Sequence, residues 1–247
     1  MTTATKPTKD TTIERIGFDT LGGADHGWLR ARHHFSFANY YDPNRTGIGP
    51  LLVWNDDEVQ GGTGFPMHPH RDMEIITYVR EGAITHGDHL GNSGRTEAGD
   101  VQVMSAGRGI MHSEMNNEDS RSTLFQIWIK PHTTGVTPRW EQRQFPKDAR
   151  DGRFIALASG RQSDLDNGAL LIHQDAAVLG ATLAAGQTAD YRIGTDRLGY
   201  LVVSKGKVSV NGVELFLRDG AAIRNTDTLS ITADEPSELV LADVPGS

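Results

Sequence analysis

The chain has 247 residues, 37% of them hydrophobic and 23% charged, which is long enough to bury a sizeable core in one large domain or two smaller ones. Its formal net charge of -8 argues against direct contact with nucleic acid, because an acidic surface repels phosphate groups. It has no cysteine, which excludes disulfides, thiolate metal sites and cysteine nucleophiles and leaves histidines and carboxylates as candidate metal ligands.

The N-terminal segment, residues 1–12, reads MTTATKPTKDTT and lacks the apolar stretch of a signal peptide. We interpret it as a short disordered leader. No apolar run further along the chain approaches the roughly 18 residues that a membrane-spanning helix needs. We therefore expect a cytoplasmic protein that does not contact membranes.

Residues 13–131 carry the features of a first β-domain. The 28 glycines of the chain follow no collagen-like period and indicate many turns between short strands. Phe35 and Phe37 alternate with a polar residue, which predicts a half-buried strand, and the run LLVWNDDEV predicts the next strand. Short strands at this spacing favour a sandwich or barrel over a fold of alternating strands and helices.

A second β-domain is predicted for residues 151–247. Residues 132–150 are polar and broken by two prolines, and we interpret them as a linker or crossing loop. The second domain repeats the order of strands and glycine turns of the first, and Asn211-Gly212 predicts a hairpin turn within it. It contains His173 but no His-x-His, so we expect a duplicated barrel that has lost its metal.

Four residues of the first domain form a candidate metal site. His68 and His70 lie two apart, as do His112 and Glu114. Residues two apart emerge on the same face of a strand, so each pair can converge on one point. Two such pairs facing each other would supply three imidazoles and a carboxylate, a complete set of ligands for a divalent metal.

Glu74 is a second candidate for the carboxylate. If its strand continues from His70 without a bulge, Glu74 has the parity of His68 and His70 and also faces inward. Composition and spacing do not choose between Glu74 and Glu114.

The histidines near these motifs are assigned lesser roles. His86 and His89 flank a Gly-Asp turn and are interpreted as surface residues. His33 and His34 are adjacent, so at most one of them can point into a pocket.

At these residues the chain resembles the cupins. Their first motif has the form HxHxxxE with a later glycine, and it is matched here from His68 through Glu74 to Gly82. In their second motif Ser105 stands where proline is usual, and the turn is longer by two residues. The sequence therefore departs from the general cupin pattern in its second motif.

That departure is typical of one cupin subgroup, the pirins, which include bacterial pirin-like proteins with quercetin 2,3-dioxygenase activity. The similarity is close over HHFSFANYYDP, GFPMHPHRDMEIITYV, GDVQVMSAGRGIMHSEMN and TLFQIWI, and looser in the second half of the chain. It implies an all-β bicupin of two jelly-roll-like β-barrels, with a metal only in the N-terminal barrel.

The resemblance also implies the ligand set. The metal would be held by His68, His70, His112 and Glu114, and Glu74 would lie behind these ligands without touching the metal. Iron(II) is the divalent metal that the resemblance favours. Zinc, copper, nickel, manganese and cobalt are alternatives, because affinity alone does not select iron.

The function that the resemblance implies is oxygen-dependent cleavage of a flavonol such as quercetin, with release of carbon monoxide. The flavonol would bind through its 3-hydroxyl, and Glu114 would take that proton as a general base. The alternative is a non-enzymatic, metal- and redox-sensing pirin that regulates a protein partner, and the acidic surface suits a protein partner better than DNA.

Overall fold

The computed structural model describes residues 12–246, so the predicted leader lies outside the described residues except for Thr12. Strands dominate the described chain, as the sequence predicts. The strands of the first half are β1 (Thr12–Ile16), β2 (Gly22–Asp25), β3 (Leu29–His33), β4 (Leu51–Val59), β5 (Thr63–His70), β6 (Glu74–Glu81), β7 (Ala83–Asp88), β8 (Ser93–Glu97), β9 (Val101–Ser105), β10 (Ile110–Asn116), β11 (Ser122–Ile129) and β12 (Arg139–Arg143).

The second half continues with short strands and one α-helix. Its strands are β13 (Ile155–Ser159), β14 (Leu170–Leu171), β15 (Ala177–Leu183), β16 (Thr188–Arg192), β17 (Arg197–Lys205), β18 (Val208–Val210), β19 (Val213–Leu215), β20 (Gly220–Arg224), β21 (Thr228–Ala233) and β22 (Ser237–Pro245). The helices are α1 (Gln162–Asp166) and two 3-10 helices, Phe18–Thr20 and Lys147–Arg150. In the described part of the chain, no helix is both long enough and apolar enough to cross a membrane.

The strands form two sandwiches, each made of a seven-stranded and a four-stranded sheet. The N-terminal sandwich consists of a large sheet in the order β12-β9-β6-β11-β4-β3-β2 and a small sheet in the order β5-β10-β7-β8. The C-terminal sandwich consists of a large sheet in the order β1-β20-β17-β22-β15-β13-β14 and a small sheet in the order β16-β21-β18-β19. The predicted two-domain, all-β architecture is therefore confirmed.

Two strands belong to a different part of the structure from the one predicted for them. β1 pairs in antiparallel fashion with β20, so the first described strand belongs to the C-terminal sandwich and not to the N-terminal domain assigned to residues 13–131. β12 lies within the predicted linker and pairs with β9 at the edge of the N-terminal large sheet. Both placements depend on pairing between residues distant in sequence, which local pattern does not specify.

The two large sheets pack face to face. One buried cluster takes side chains from both of them, for example Ile76 and Ile127 from the N-terminal sheet and Val202 and Val240 from the C-terminal sheet. Strand periodicity explains the arrangement, because alternate residues of β6 and β11 face this cluster while their neighbours face the interior of the N-terminal sandwich. The N-terminal large sheet is thus buried on both faces.

The interiors of the two sandwiches differ. The C-terminal interior is filled by one large apolar cluster that includes Leu201, Leu229 and Leu241. Among residues 12–246, the N-terminal interior holds two small clusters, one around Leu124 and one around Ile75. The space between the small clusters is available for a pocket.

Two local predictions have opposite outcomes. Asn211 and Gly212 both have positive φ, 46° and 86°, and connect β18 to β19 as the predicted hairpin turn. The strand predicted at Phe35 and Phe37 is wrong, because β3 ends at His33 and Phe37 lies in a turn closed on Tyr40.

A buried ion cluster joins the two sandwiches. Asp56 of β4 is fully buried and accepts hydrogen bonds from Arg218 Nε at 2.6 Å and Arg218 Nη2 at 3.0 Å. Arg80 of β6 also pairs with Asp56, and Arg218 extends to Glu58 at 3.2 Å. A single carboxylate thus holds two guanidinium groups, one from each half of the chain.

We predict that Asp56→Asn lowers the free energy of unfolding by about 3 kcal/mol, because it leaves two partly buried guanidinium groups without their shared counter-charge while Arg218 keeps Glu58 as a partner. The measurement is chemical denaturation followed by fluorescence. Asp25→Asn is the control, because it removes a carboxylate from an exposed ion pair with Arg30 and should leave the midpoint unchanged. A loss below about 1 kcal/mol for Asp56→Asn would show that the cluster is not important for stability.

Candidate metal centre

The candidate ligands lie on two adjacent strands of the small N-terminal sheet. β5 and β10 pair in antiparallel fashion, with His68 opposite His112 and His70 opposite Ile110. The alternation that suggested the site from sequence therefore directs His68, His70 and His112 to one side of the sheet. The sequence alone predicted that His68 and His70 share one face of a strand, and the register of β5 with β10 places His112 beside them.

The three imidazoles form a close group. The ring centroids of His68 and His112 are 4.4 Å apart, those of His68 and His70 are 4.8 Å apart, and those of His70 and His112 are 5.0 Å apart. One ring nitrogen from each side chain lies within 4.8 Å of the other two. Three imidazole nitrogens at this spacing can hold one divalent metal ion.

The protonation state of the ring atoms fits a metal ion. His68 Nδ1 donates to the carbonyl oxygen of Pro66 at 2.7 Å, which leaves the Nε2 lone pair free. His112 Nε2 is buried and makes no hydrogen bond with any described residue. Burial lowers the pKa of His70 to about 4 and that of His112 to about 2, so both rings are neutral at physiological pH, as ligation requires.

These imidazoles line a cavity of about 240 Å³ inside the N-terminal sandwich. Aromatic side chains form much of its wall, and Trp128 packs edge-on against His70 with ring centroids 5.0 Å apart. His33 also lines the cavity, whereas its neighbour His34 points to the other side and bonds Tyr200 of the C-terminal sandwich at 2.8 Å. The prediction that at most one of these two histidines approaches the pocket is confirmed.

Glu114 lines the same cavity but is held apart from the three histidine nitrogens. Its Oε1 accepts hydrogen bonds from Thr77 at 3.1 Å and Gln102 at 2.7 Å, and its Oε2 accepts one from Gln126 at 2.6 Å. Burial raises the pKa of Glu114. The hydrogen bonds from Thr77 and Gln126 act in the opposite direction, because they stabilise the ionised carboxylate. The role of Glu114 as a metal ligand remains a prediction.

Glu74 does not face the pocket, so the alternative in which it supplies the carboxylate ligand is wrong. Its contacts are with Ser105 and His173 and not with the three histidines, so they do not support the place behind the metal ligands either. Glu74 begins β6, which lies in the large sheet, whereas His70 ends β5 in the small sheet. Its carboxylate accepts a hydrogen bond from Ser105 at 2.7 Å and lies 3.4 Å from His173 of the C-terminal sandwich. The chain changes direction between the strands at Asp72, whose φ of 46° breaks the assumed parity.

The interpretation of His86 as a surface residue is also wrong. His86 is 1% exposed, and its ring stacks on Trp140 with centroids 4.7 Å apart and planes 6° apart. Its Nδ1 lies 3.4 Å from His112 Nδ1, directly behind a candidate ligand. The spacing His86-x-Asp88 resembles that of the ligand pairs and is the one sequence signal that could have indicated this role. His89 is exposed, as predicted.

Asp57 is a further acidic group in the cavity wall that sequence reasoning did not single out. It is 2% exposed, and its Oδ1 has no hydrogen-bond partner among the described residues. Burial raises the pKa of Asp57 well above its usual range, and the neighbouring charges of Asp56 and Glu114 raise it further. The carboxyl group is therefore held toward its neutral form.

Comparison with known proteins agrees with this architecture. A family model described as Pirin matches residues 16–129, and one described as Quercetinase C-terminal cupin domain matches residues 157–244. A pirin-like protein of Caulobacter vibrioides is 61% identical over 231 residues, which cover 94% of this chain and 99% of the relative. A quercetin 2,3-dioxygenase of Escherichia coli strain K12 is 46% identical over 225 residues, which cover 91% of this chain and 95% of the relative.

A solved structure supports the same comparison. The crystal structure of the bacterial pirin YhhW from Escherichia coli in complex with nickel(II) superposes with a TM-score of 0.89 at 43% identity, covering 96% of this chain and 100% of that chain. The relative therefore binds a divalent metal on the same fold. The predicted bicupin architecture is confirmed.

We predict that Asp57→Asn raises the thermal midpoint of the metal-free protein, and that the gain grows between pH 5 and pH 8. Folding raises the pKa of Asp57, so the wild-type protein loses stability as the pH rises above the pKa of this group in the unfolded chain, about 3.9. The amide of the variant does not ionise, so the variant does not have this loss. Asp190→Asn, at an exposed position, controls for the loss of one negative charge. A gain in thermal midpoint that does not change with pH would contradict the raised pKa of Asp57.

Proposed function

The chain is a member of the pirin family, and we propose that it is a metal-dependent dioxygenase that opens the central ring of a flavonol with O2 and releases carbon monoxide. The observation that carries the proposal is the position of three closely grouped imidazoles in the wall of a mostly apolar, aromatic-lined cavity. The name of the Escherichia coli relative, quercetin 2,3-dioxygenase, supports the substrate class.

In this proposal His68, His70 and His112 hold one divalent metal, with Glu114 as a fourth ligand when its carboxylate turns toward them. When bound, the metal supplies a Lewis acid for the substrate's 3-hydroxyl oxygen and a redox centre for reaction with O2. Iron(II) is the proposed working metal. The metal found in purified protein need not be the same one, because nitrogen ligands bind nickel, copper and zinc more tightly than iron.

The residues of the chain bind and orient the substrate. The rings of Phe37, Phe65 and Trp128 line the cavity and offer flat apolar surfaces to a planar aromatic molecule. The same walls exclude water from the reacting face, which strengthens polar interactions at the metal end. A flavonol would thus lie with its 3-hydroxyl toward the histidines and its remaining rings against the aromatic wall.

Glu114 is the proposed proton acceptor. A carboxylate with a raised pKa takes a proton more readily near neutral pH than an ordinary one does. Thr77, Gln102 and Gln126 hold it in place, and their hydrogen bonds keep it oriented while the 3-hydroxyl loses its proton. The proton then returns to the carboxylate of the ring-opened product.

The direct test is gas exchange. Metal-free protein is loaded anaerobically with iron(II), then given quercetin and air, and O2 uptake and carbon monoxide release are recorded together. We expect one carbon monoxide released for each O2 consumed. Tight iron binding without O2 uptake or carbon monoxide release would contradict the flavonol chemistry but would still support the metal site.

We predict that His70→Ala abolishes both metal binding and turnover, whereas Glu114→Gln keeps part of the metal and loses at least about 100-fold in turnover. The first removes a ligand, and the second removes a proton acceptor while keeping the shape of the side chain. Metal content by elemental analysis and turnover by gas exchange separate the two effects. His132→Ala, at an exposed histidine, is the control, and full activity in Glu114→Gln would contradict its role as base.

One observation favours a second candidate function. Met67 and Met111 neighbour the ligand histidines on β5 and β10 and are 49% and 43% exposed. Leu90 follows His89, which hydrogen-bonds Met111, and is 50% exposed. An apolar patch over the metal-bearing strands suits a regulator that binds a protein partner according to the oxidation state of the metal. A partner that binds the iron(III) form, but neither the iron(II) form nor a Met67→Lys variant, would support this function.

A further inference from the structure

Behind the candidate ligand His112 lies a buried chain of polar groups that the proposed reaction does not use. His86 and Asp88 both lie on β7, the strand that pairs with β10 on the side away from β5. His112 Nδ1 lies 3.4 Å from His86 Nδ1, and His86 Nε2 lies 3.1 Å from Asp88 Oδ2. His112 and His86 are each 1% exposed, and the side chain of Asp88 is fully buried.

Asp88 fixes the direction of the chain because it can act only as an acceptor. Its Oδ1 accepts the backbone N–H groups of Leu90 at 2.9 Å and Asn92 at 3.0 Å. Its Oδ2 accepts the Asn92 side-chain amide at 2.8 Å as well as the His86 ring. Three N–H donors besides His86 surround the two oxygens and stabilise the ionised form of Asp88, so Asp88 is taken as a carboxylate and His86 Nε2 as the atom that carries the hydrogen.

The remaining hydrogen positions follow one after another. When His86 is in its neutral form with the hydrogen on Nε2, its Nδ1 has a lone pair and accepts. His112 Nδ1 must then donate, which leaves the lone pair of His112 on Nε2. His112 Nε2 is buried and has no hydrogen-bond partner among the described residues. Its ring lines the cavity together with those of His68 and His70.

His68 reaches the same state through a different partner. Its Nδ1 faces the carbonyl oxygen of Pro66, which can only accept, so its lone pair is also on Nε2. His68 and His112, on neighbouring strands, thus both carry their hydrogen on Nδ1, and each is held in this tautomer by a different acceptor. The carbonyl is local to its strand, whereas the acceptor for His112 comes from another strand.

We propose that His86, held by Asp88, is a positioning residue that fixes His112 as the Nδ1–H tautomer and presents its Nε2 lone pair to the metal. The inference rests on the metal site of the proposed function. Partners of this kind around a metal ligand commonly contribute 10- to 100-fold to metal affinity, by ordering the ring and its hydrogen. The alternative is that His86 only fills space beside Trp140, on which it stacks.

Two substitutions at His86 separate these explanations. His86→Phe keeps an aromatic ring for Trp140 but removes the acceptor, whereas His86→Asn loses the ring but can place its Oδ1 near the position of the histidine Nδ1. We expect nickel(II) affinity, measured by competition with a chromophoric chelator, to fall about 10- to 100-fold in His86→Phe and to stay within about threefold of wild type in His86→Asn. The reverse order would overturn the proposal in favour of a packing role.

Asp88→Asn tests the direction of the hydrogen bonds. The two backbone N–H groups at Oδ1 require an oxygen there, so the new amide nitrogen takes the place of Oδ2 and donates to His86 Nε2. The side-chain amide of Asn92, which donates to Oδ2 in the wild type, then turns over and offers its oxygen instead. His86 then carries its hydrogen on Nδ1, and His112 must accept there and place its own hydrogen on Nε2, which blocks ligation. We expect Asp88→Asn to lose at least as much nickel affinity as His86→Phe, and unchanged affinity would contradict the proposal.

The tautomer of His112 can also be measured in the wild-type protein, so this test does not depend on the folding of a variant. In metal-free protein labelled with 15N-histidine, long-range 1H-15N spectra should show His112 protonated on Nδ1 and bare on Nε2. The opposite tautomer would overturn the proposal, even if the wild-type protein bound no nickel and the proposed function failed. His132→Asn controls the affinity series for loss of an exposed histidine, and circular dichroism and thermal unfolding confirm that each variant is folded.

Discussion

The candidate site depends on the antiparallel pairing of β5 with β10. The register places His68 opposite His112, and a slip of one residue would turn His112 to the outer face of the sheet. A register shift follows directly, between His112 and Glu114, where β5 contains Pro66. Proline has no N–H to give to a ladder and is tolerated at such an irregularity. The shift changes the position of Glu114 relative to His68, so that the carboxylate lies among the amides and hydroxyl of the opposite sheet.

The contents of the two sandwich interiors explain why one half of the chain carries the site. The C-terminal interior is filled by aliphatic side chains such as Leu201, Leu229 and Ile231. In the N-terminal sandwich the corresponding space is lined by imidazoles, carboxyls and aromatic rings. Stability that this interior does not supply comes instead from the contact between the two large sheets, where the largest apolar cluster lies.

Sequence predicted most of what depends on local spacing, with the exception of the strand at Phe35 and Phe37, and missed what depends on pairing at a distance. The His-x-His motif, the Asn211-Gly212 turn and the two β-domains follow from spacing and turn chemistry. The assignment of Glu74 failed because parity does not continue through a change of sheet at Asp72. His86 appeared exposed because it precedes a turn, and only the packing of β12 against the small sheet buries it under Trp140.

The second sandwich, although it does not hold the proposed metal, orients the wall of the first. In the large N-terminal sheet, residues that face the C-terminal sandwich alternate with residues that face the cavity. Asp56 is held by Arg218 from the second half, and the next residue, Asp57, lines the cavity. Glu74 is likewise held beside His173, and the next residue, Ile75, also lines the cavity. Because neighbouring side chains on a strand share one rigid backbone, fixing the outer residue fixes the direction of the inner one. The duplicated barrel thus supports the back wall of the site, which gives a physical reason to retain it.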